Sequence, residues 1–419
     1  MFSFIHCADL HLDSPLKGLN EKKAAPEEQI RLAARSALMN LVELAISKKV
    51  DFVIVAGDVF DGDWKDYHTG LFYNAQMARL DAHQIKVFQI RGNHDAASNI
   101  TLSLTLPPNV FEFSATESHT ETIEGLKVAI HGQSYGRREV FENIALNYPH
   151  ALDGYFNIGI LHTCAEGQEG HDSYAPCKVS DLIKKRYQYW ALGHIHKRML
   201  LNESPPILFP GNIQGRHIKE TGAKGCTLVS VNGDDIQLEH HDLDVLRWYE
   251  CIVDLTDIHE KRDFSQQVSL HLSTLVRENP NHFLAVRIRL EGATELHGVF
   301  LADLDACYAE VENAANLVKV DQIWIEKIVV KTKTPITLEQ RLMADPALGD
   351  LLRMVRELES DSEFLSGLQA ELQAALKKMP DLAAQHALSH YFTADAVQAR
   401  FQSAEAMLIH LILQGGAPK

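Results

Sequence analysis

The chain has 419 residues, 46% hydrophobic and 23% charged, a globular composition that excludes a disordered or low-complexity protein. Its length suggests roughly two to three domains. With 56 acidic residues against 40 basic ones, the net charge of −16 argues against nucleic-acid binding by overall charge. Any hold on phosphate must come from local cations or bound metal ions.

In chain order, Phe2 to Cys7 reads as a strand that delivers Asp9 and His11 just past its end. Glu27 to Lys48 reads as a helix with Ile30, Ala34, Leu38, Leu41 and Ala45 near one face. A strand at Phe52 to Ala56 leads into Gly57 and Asp58, with Asp61 close behind. A helix over Tyr67 to His83 and a strand over Val87 to Ile90 lead to Gly92, Asn93, His94 and Asp95. Three further apolar runs, Val128 to Ile130, Ile158 to Leu161 and Tyr189 to Leu192, end in His131, His162 and the Gly193, His194, Ile195, His196 cluster. The polar turn around Glu124 and Gly125 predicts a hairpin before His131. Leu208 to Gln214 and Gly225 to Val231 read as closing strands. Short strands alternating with helices predict a layered α/β domain, with ligands at the carboxyl ends of the strands.

The pattern restarts near Trp248. Strands at Cys251–Leu255, Leu284–Leu290 and Gln322–Val330, with helices around Phe264–Arg277 and Leu304–Val318, predict a small α+β domain. Thr337, Leu338, Glu339 and Gln340 match a capping box that opens a helical tail. Leucines at helical spacing follow, among them Leu365, Leu368, Leu372 and Leu376. Pro380 interrupts the pattern before Val397, Phe401, Leu408 and Leu411. The expected boundaries are 1–245, 246–334 and 335–419. Six scattered cysteines with no C-x-x-C pair fit free thiols in a reducing compartment. The start lacks signal-peptide features, and no apolar run approaches the roughly 18 residues of a membrane span, so a cytoplasmic protein is expected.

Carboxylates, imidazoles and one amide oxygen are the ligand types for Mn²⁺, Fe²⁺ or Zn²⁺. Asp9 and His11 can converge on one ion, and Asp58 is the natural bridge to a second. Asn93, His162 and His194 can complete that second site, while His196 returns to the first. Two such metals, about 3.5–4 Å apart, clamp a phosphodiester and turn the water between them into the attacking hydroxide. His94 is free to protonate the leaving group.

Other assignments stay open. Asp61 can orient a ligand or cap a loop. Asp95 can hold His94 in its tautomer or cap a helix. His131 can line the site or be structural. His68, His83, His119, His240 and His241 fall outside the clusters and read as structural or solvent-exposed. Arg91, Arg137, Arg138, Lys197, Arg198, Arg216, Lys219 and Lys224 form a basic collar in sequence around the ligand loops, and can touch a phosphate backbone.

The ordered series D-L-H, G-D-V-F-D, G-N-H-D, H-T and G-H-I-H resembles the calcineurin-like metallophosphoesterase superfamily, and within it the SbcD-type DNA repair nucleases. The run from His11 to Leu16 and the later Tyr174, Ala175, Pro176 and Cys177 resemble the YhaO branch. The resemblance covers residues 1 to about 240 and only weakly the rest. It implies a sandwich of two sheets flanked by helices, completed here by the small α+β domain and a helical C-terminal region. It implies two divalent ions, usually Mn²⁺, on Asp9, His11, Asp58 and His196 and on Asp58, Asn93, His162 and His194. His94 matches the catalytic histidine, and from the residues themselves Asp61 and Asp95 are further catalytic candidates. The implied activity is a DNA exonuclease or endonuclease of repair, with DNA and an SMC-like or ABC-type ATPase as partners. A homodimer stays open, and no membrane partner is expected.

Rival readings share the ligands. A serine/threonine phosphatase of this fold resembles G-D-x-x-D-R-G, whereas Gly62 follows Asp61 here. A cyclic-nucleotide or other small-molecule phosphodiesterase would not need the later regions. A non-catalytic scaffold of an ATPase complex would be expected to lack ligands, and none is missing.

Overall fold

The computed structural model describes residues 1–14, 26–61, 67–96, 105–166, 174–335, 346–378, 393, 396–398 and 400–401. It divides into two compact units, Met1–Tyr249 with Pro280–Ala285, and Glu250–Asn279 with Val286–Lys419.

The first unit is built on two six-stranded sheets. One carries β1 (Phe2–Cys7), β2 (Phe52–Val55), β3 (Lys86–Gln89), β4 (Val110–Glu112), β11 (Gly225–Asn232) and β12 (Asp235–Asp242), in the order β12-β11-β1-β2-β3-β4. The other carries β5 (His119–Ile123), β6 (Val128–Gly132), β7 (Phe156–His162), β8 (Tyr189–Gly193), β9 (Met199–Glu203) and β10 (Pro206–Phe209), in the order β5-β6-β7-β8-β10-β9. Parallel strands form the heart of each: β1 to β4 in one, and β6, β7, β8 and β10 in the other. Their carboxyl ends therefore open in a common direction within each sheet, as expected for a ligand site.

Period-two alternation sorts the side chains into layers. Phe4, Phe52 and Ile54 turn inward and pack with Ile158, Ile160, Tyr189 and Leu208 of the other sheet. Ile5, Cys7, Val53 and Val55 turn outward against α1 (Glu27–Lys48) and α2 (Tyr67–Asp81). The expected face of α1 is the buried one, with Ile30, Ala34, Leu38, Leu41 and Ala45 all inside. A third cluster around Trp190, Leu192 and Leu182 covers the outside of the second sheet, partly through α4 (Val179–Lys184). The result is two sheets face to face, with helices outside.

The hairpin expected at Glu124 is there, as antiparallel β5 and β6. The strand expected over Leu208 to Gln214 stops at Phe209, because Gly211 takes φ +81° and Asn212 and Gln214 spend their side chains on loop backbone. All six cysteines are buried free thiols.

The second unit holds most of a three-stranded sheet, in the order β13 (Leu246–Asp254), β14 (Phe283–Glu291) and β15 (Ile323–Val330). Helix α5 (Lys261–Glu278) buries Phe264, Val268 and Leu272. Helix α7 (Leu304–Val318) packs beside it and buries Cys307, Val311, Ala314 and Ala315. Between them lies the short α6 (His297–Ala302), which the sequence pattern did not suggest. The tail holds helices at Pro346–Ser360 and Ser362–Lys377. Leu365, Leu368, Leu372 and Leu376 lie half-buried along one stripe of the latter. The capping box, Pro380, Leu408 and Leu411 lie outside the described residues. Among the described residues, no helix is long and apolar enough to cross a membrane.

Candidate metal centre

The loops after β1, β2, β3, β7 and β8 bring Asp9, His11, Asp58, Asn93, His94, His162, His194 and His196 to one place. Asp9, His11 and Asp58 are about 1% exposed, and His162 is fully buried. Their backbones are unusual. Asp9, His11, Asp58 and His194 all have positive φ, at 53°, 42°, 54° and 102°. Non-glycine residues rarely adopt this region, and clusters of them mark functional sites. The turns are held by ladder-like bonds between loops, from Asp9 N–H to Gly57 O and from His11 N–H to Asp58 O, each 3.0 Å. Close approach needs glycine. A Cβ on Gly193 would sit 1.9 Å from Ala56 O, and one on Gly92 would sit 2.2 Å from Asp58 Oδ1.

The hydrogen bonds fix which atoms face inward. His162 Nδ1 donates to Ala56 O at 2.9 Å, so Nε2 turns toward Asn93 Oδ1 at 3.0 Å and Asp58 Oδ2 at 3.4 Å. His196 Nδ1 donates to Glu220 Oε1 at 2.7 Å, which leaves its Nε2 facing His11 Nε2 at 3.2 Å. That second nitrogen is 3.8 Å from Asp58 Oδ2. Asp9 accepts the His194 backbone N–H at 3.1 Å. Donor atoms of carboxylates, an amide and imidazoles thus converge on one place. Donor atoms of Asp9, His11 and His196 lie within 4.8 Å of one another, as do those of Asp9, Asp58 and His162 and those of His11, Asp58 and His94.

This donor set fits divalent cations of the Mn²⁺, Fe²⁺ and Zn²⁺ kind. Electrostatics agree. Burial, then the charge of Asp58 among others, leaves the Asp9 carboxyl above its usual range despite the nearby histidines. Burial works against the charged form of His162 too, but the Asp58 carboxylate outweighs it and raises that imidazole to about 9. Two buried carboxylates call for positive charge between them, which protons or metal ions can supply.

His94 stands at the edge. Its backbone N–H donates to Asp58 Oδ1 at 2.9 Å, and its Nδ1 meets Asp61 Oδ1 at 2.6 Å. Burial disfavours its imidazolium, but the Asp61 hydrogen bond and the Asp58 charge outweigh it, so its pKa is raised. Asp61 in turn accepts from Ser14 Oγ at 2.6 Å, and Arg216 Nη1 approaches it at 3.7 Å. Asp61 is therefore the carboxylate that orients His94.

Asp95 is not. Its Oδ1 accepts Phe60 N–H at 2.8 Å, and its Oδ2 accepts Gly92 N–H at 3.1 Å and Val59 N–H at 3.2 Å. It clamps the Asp58 loop to the start of the one-turn helix Asn93–Ala96. Of the two roles left open for Asp95, holding His94 or capping a helix, these bonds match the second, since Gly92 precedes that helix directly. His131 is also structural. It meets Thr120 Oγ1 at 2.8 Å and Asn157 Oδ1 at 3.0 Å, and stacks on Tyr187 with ring centres 4.3 Å apart.

Glu220 was not visible in the sequence pattern. It is 7% exposed and gathers His196 Nδ1, Asn212 Nδ2 at 3.0 Å, the Arg216 backbone N–H at 2.8 Å and Arg216 Nη2 at 3.3 Å. A carboxylate on the far nitrogen of a ligating histidine fixes its tautomer and strengthens it as a donor. The only trace in the sequence is an acidic residue in a polar loop. Tyr135, whose hydroxyl donates to His162 O at 2.7 Å, and Tyr174, whose ring packs on His194, likewise hold the histidine loops from outside.

Residues 2–198 match the model of the calcineurin-like phosphoesterase family, and residues 248–333 match that of the metallophosphoesterase YhaO middle domain. An uncharacterized metallophosphoesterase YhaO from Bacillus subtilis is 38% identical over 294 residues, covering 69% of this chain and 72% of the relative. A DNA double-strand break repair protein Mre11 from Sulfurisphaera tokodaii is 23% identical, covering 61% of this chain and 67% of that one. Its namesake from Methanocaldococcus jannaschii is 24% identical, covering 64% and 72%. With its two-sheet sandwich and converging metal donors, the chain belongs to the calcineurin-like metallophosphoesterases and is a phosphoester hydrolase.

Proposed function

We propose that this hydrolase is a Mn²⁺-dependent phosphodiesterase that cleaves DNA. The observation that carries the reading is His94. It is bonded through Nδ1 to Asp61 at 2.6 Å and placed against the Asp58 loop, as a proton donor to a leaving alkoxide must be. Divalent ions on Asp9, His11, Asp58, Asn93, His162, His194 and His196 would draw charge from the phosphate and acidify water. The protein does the rest. Asp61 aims His94, Glu220 aims His196, and Asp95 fixes the loop that carries Asp58. The archaeal relatives named as double-strand break repair proteins support DNA as the substrate.

The test is a side-by-side assay with Mn²⁺ on single- and double-stranded DNA, bis-p-nitrophenyl phosphate and cyclic AMP. Cleavage of DNA and the simple diester, abolished by chelator, is expected. Turnover of cyclic AMP without DNA would move the substrate to cyclic nucleotides. We further propose that an SMC-like or ABC-type ATPase is the partner, docked by the helical region after residue 335. A chain ending at Thr334 should keep diester turnover and lose partner pull-down; retained pull-down would move the docking surface elsewhere.

A further inference from the structure

Beside His196 lies a cleft of about 170 Å³, walled by Lys197, Arg198, Lys224, His240 and Asn212. Among the described residues, no carboxylate lines it. Among the described residues, Lys197, Arg198 and Lys224 form no ion pair. Three other collar residues face carboxylates: Arg91 faces Glu112 at 3.4 Å, Arg137 faces Glu142 at 2.6 Å and Arg216 faces Glu220 at 3.3 Å. Glu220 and Asp244 act on Lys224 only through space, and the three neighbouring cations make a local positive patch on a chain of net charge −16, where an anion is drawn in. The Lys224 side chain is nearly buried, at 8% exposure, and its Nζ donates to His196 O at 3.1 Å. That bond uses one of three ammonium protons and ties the cleft to the loop that carries a metal donor. Lys197 and Arg198 are exposed and follow His196 directly.

We propose that this cleft is a second phosphate subsite, which binds a non-scissile phosphate of the substrate strand next to the one at the metal donors. The inference rests on the DNA-cleaving reading and adds how the enzyme would tell a polynucleotide from a small diester. Lys197 and Arg198 supply the open side, and Lys224 the floor. A volume of about 170 Å³ exceeds several water-sized groups of about 30 Å³ each, enough for a phosphate and its oxygens. A substrate with one phosphate cannot occupy both sites; a strand can.

The test uses the full chain with Lys197→Gln and Arg198→Gln combined, both on the surface. Two readouts are taken: binding of a short oligothymidylate without added metal, as a function of salt, and the ratio of kcat/KM for that strand to kcat/KM for bis-p-nitrophenyl phosphate. Removing two phosphate contacts should lower the slope of log K against log salt by about 1.4. The ratio should fall at least tenfold, and Arg198→Lys alone should retain most of it. An unchanged slope and ratio in a wild type that cleaves the strand would overturn the subsite. A weakened inhibition by inorganic phosphate with an unchanged ratio would make it a site for the free ion, overturning the strand assignment. A wild type that turns over the diester but neither binds nor cleaves the strand would overturn the DNA reading itself.

Discussion

Both units hold balanced pairs, in the first Arg247 with Asp244 at 2.7 Å, but the first also buries charge in a second way. In the second, Arg287 meets Glu326 with bonds of 2.7 and 2.8 Å, one cation for one anion, and its positive-φ aspartates, Asp257 and Asp321, lie outside the helices and strands. In the first, Asp9 and Asp58 are buried together with His11, His162 and His194, on backbones bent into positive φ at four of these five positions. A balanced pair is explained by the fold alone. Converging lone pairs on a strained backbone are explained by what they bind.

The sharpest way to break that contrast is at Asp58, whose two oxygens face His94 and the His162 and His11 rings. Asp58→Asn should lower metal-dependent hydrolysis by more than about 10³-fold and weaken metal binding at both sites, since an amide is a poor bridge. Near-normal turnover would remove Asp58 from the centre of the account. His94→Ala should cost about 10²–10⁴-fold in kcat with metal content unchanged. Loss of metal along with activity would make His94 a ligand. Glu220→Gln should weaken metal affinity by about 10–100-fold through the His196 tautomer, read by titration rather than turnover. An unaltered affinity would reduce Glu220 to a loop brace.

Much of this arrangement is legible in the sequence, because each candidate donor follows an apolar strand and the strands are parallel. Asp9, Asp58, Asn93, His162 and His194 needed only that logic. The supports were not legible. Asp95 is next to His94 in sequence, yet its carboxylate turns back onto Val59, Phe60 and Gly92, while Asp61, a loop away, takes the position beside the imidazole. Sequence adjacency says little about side-chain direction in a one-turn helix. Glu220 acts on His196 across 24 residues of loop and strand, with no periodicity to reveal it. Strand β12 hid for another reason: Asp235–Asp242 alternates half-buried and exposed positions, with acidic and histidine side chains in place of an apolar run.

Smaller effects sharpen the contrast away from the ligands. Burial lowers the His131 pKa to about 4 from 6.5, with the Asn157 bond opposing. Its folded form is therefore neutral where the unfolded chain takes up a proton. The stability it permits is complete above pH 6.5 and is lost as pH falls toward 4. Between pH 7.5 and 5 the wild type should lose about 2 kcal/mol more than His131→Gln, measured by denaturant unfolding. Equal losses would mean that His131 does not titrate in this range. In the second unit, Glu326→Gln breaks the balanced pair and should lower thermal stability while leaving diester kcat within about twofold. A large loss of kcat in a folded variant would show that the contrast between the units is too simple.

The most direct test of the metal centre is equilibrium dialysis of the purified full chain against Mn²⁺, with elemental analysis of bound metal and diester turnover on the same samples. Two ions per chain, with turnover rising as the sites fill and vanishing in chelator, is the predicted result. Hydrolysis that persists after the metal has been removed, or a chain that binds no Mn²⁺ at all, would contradict it.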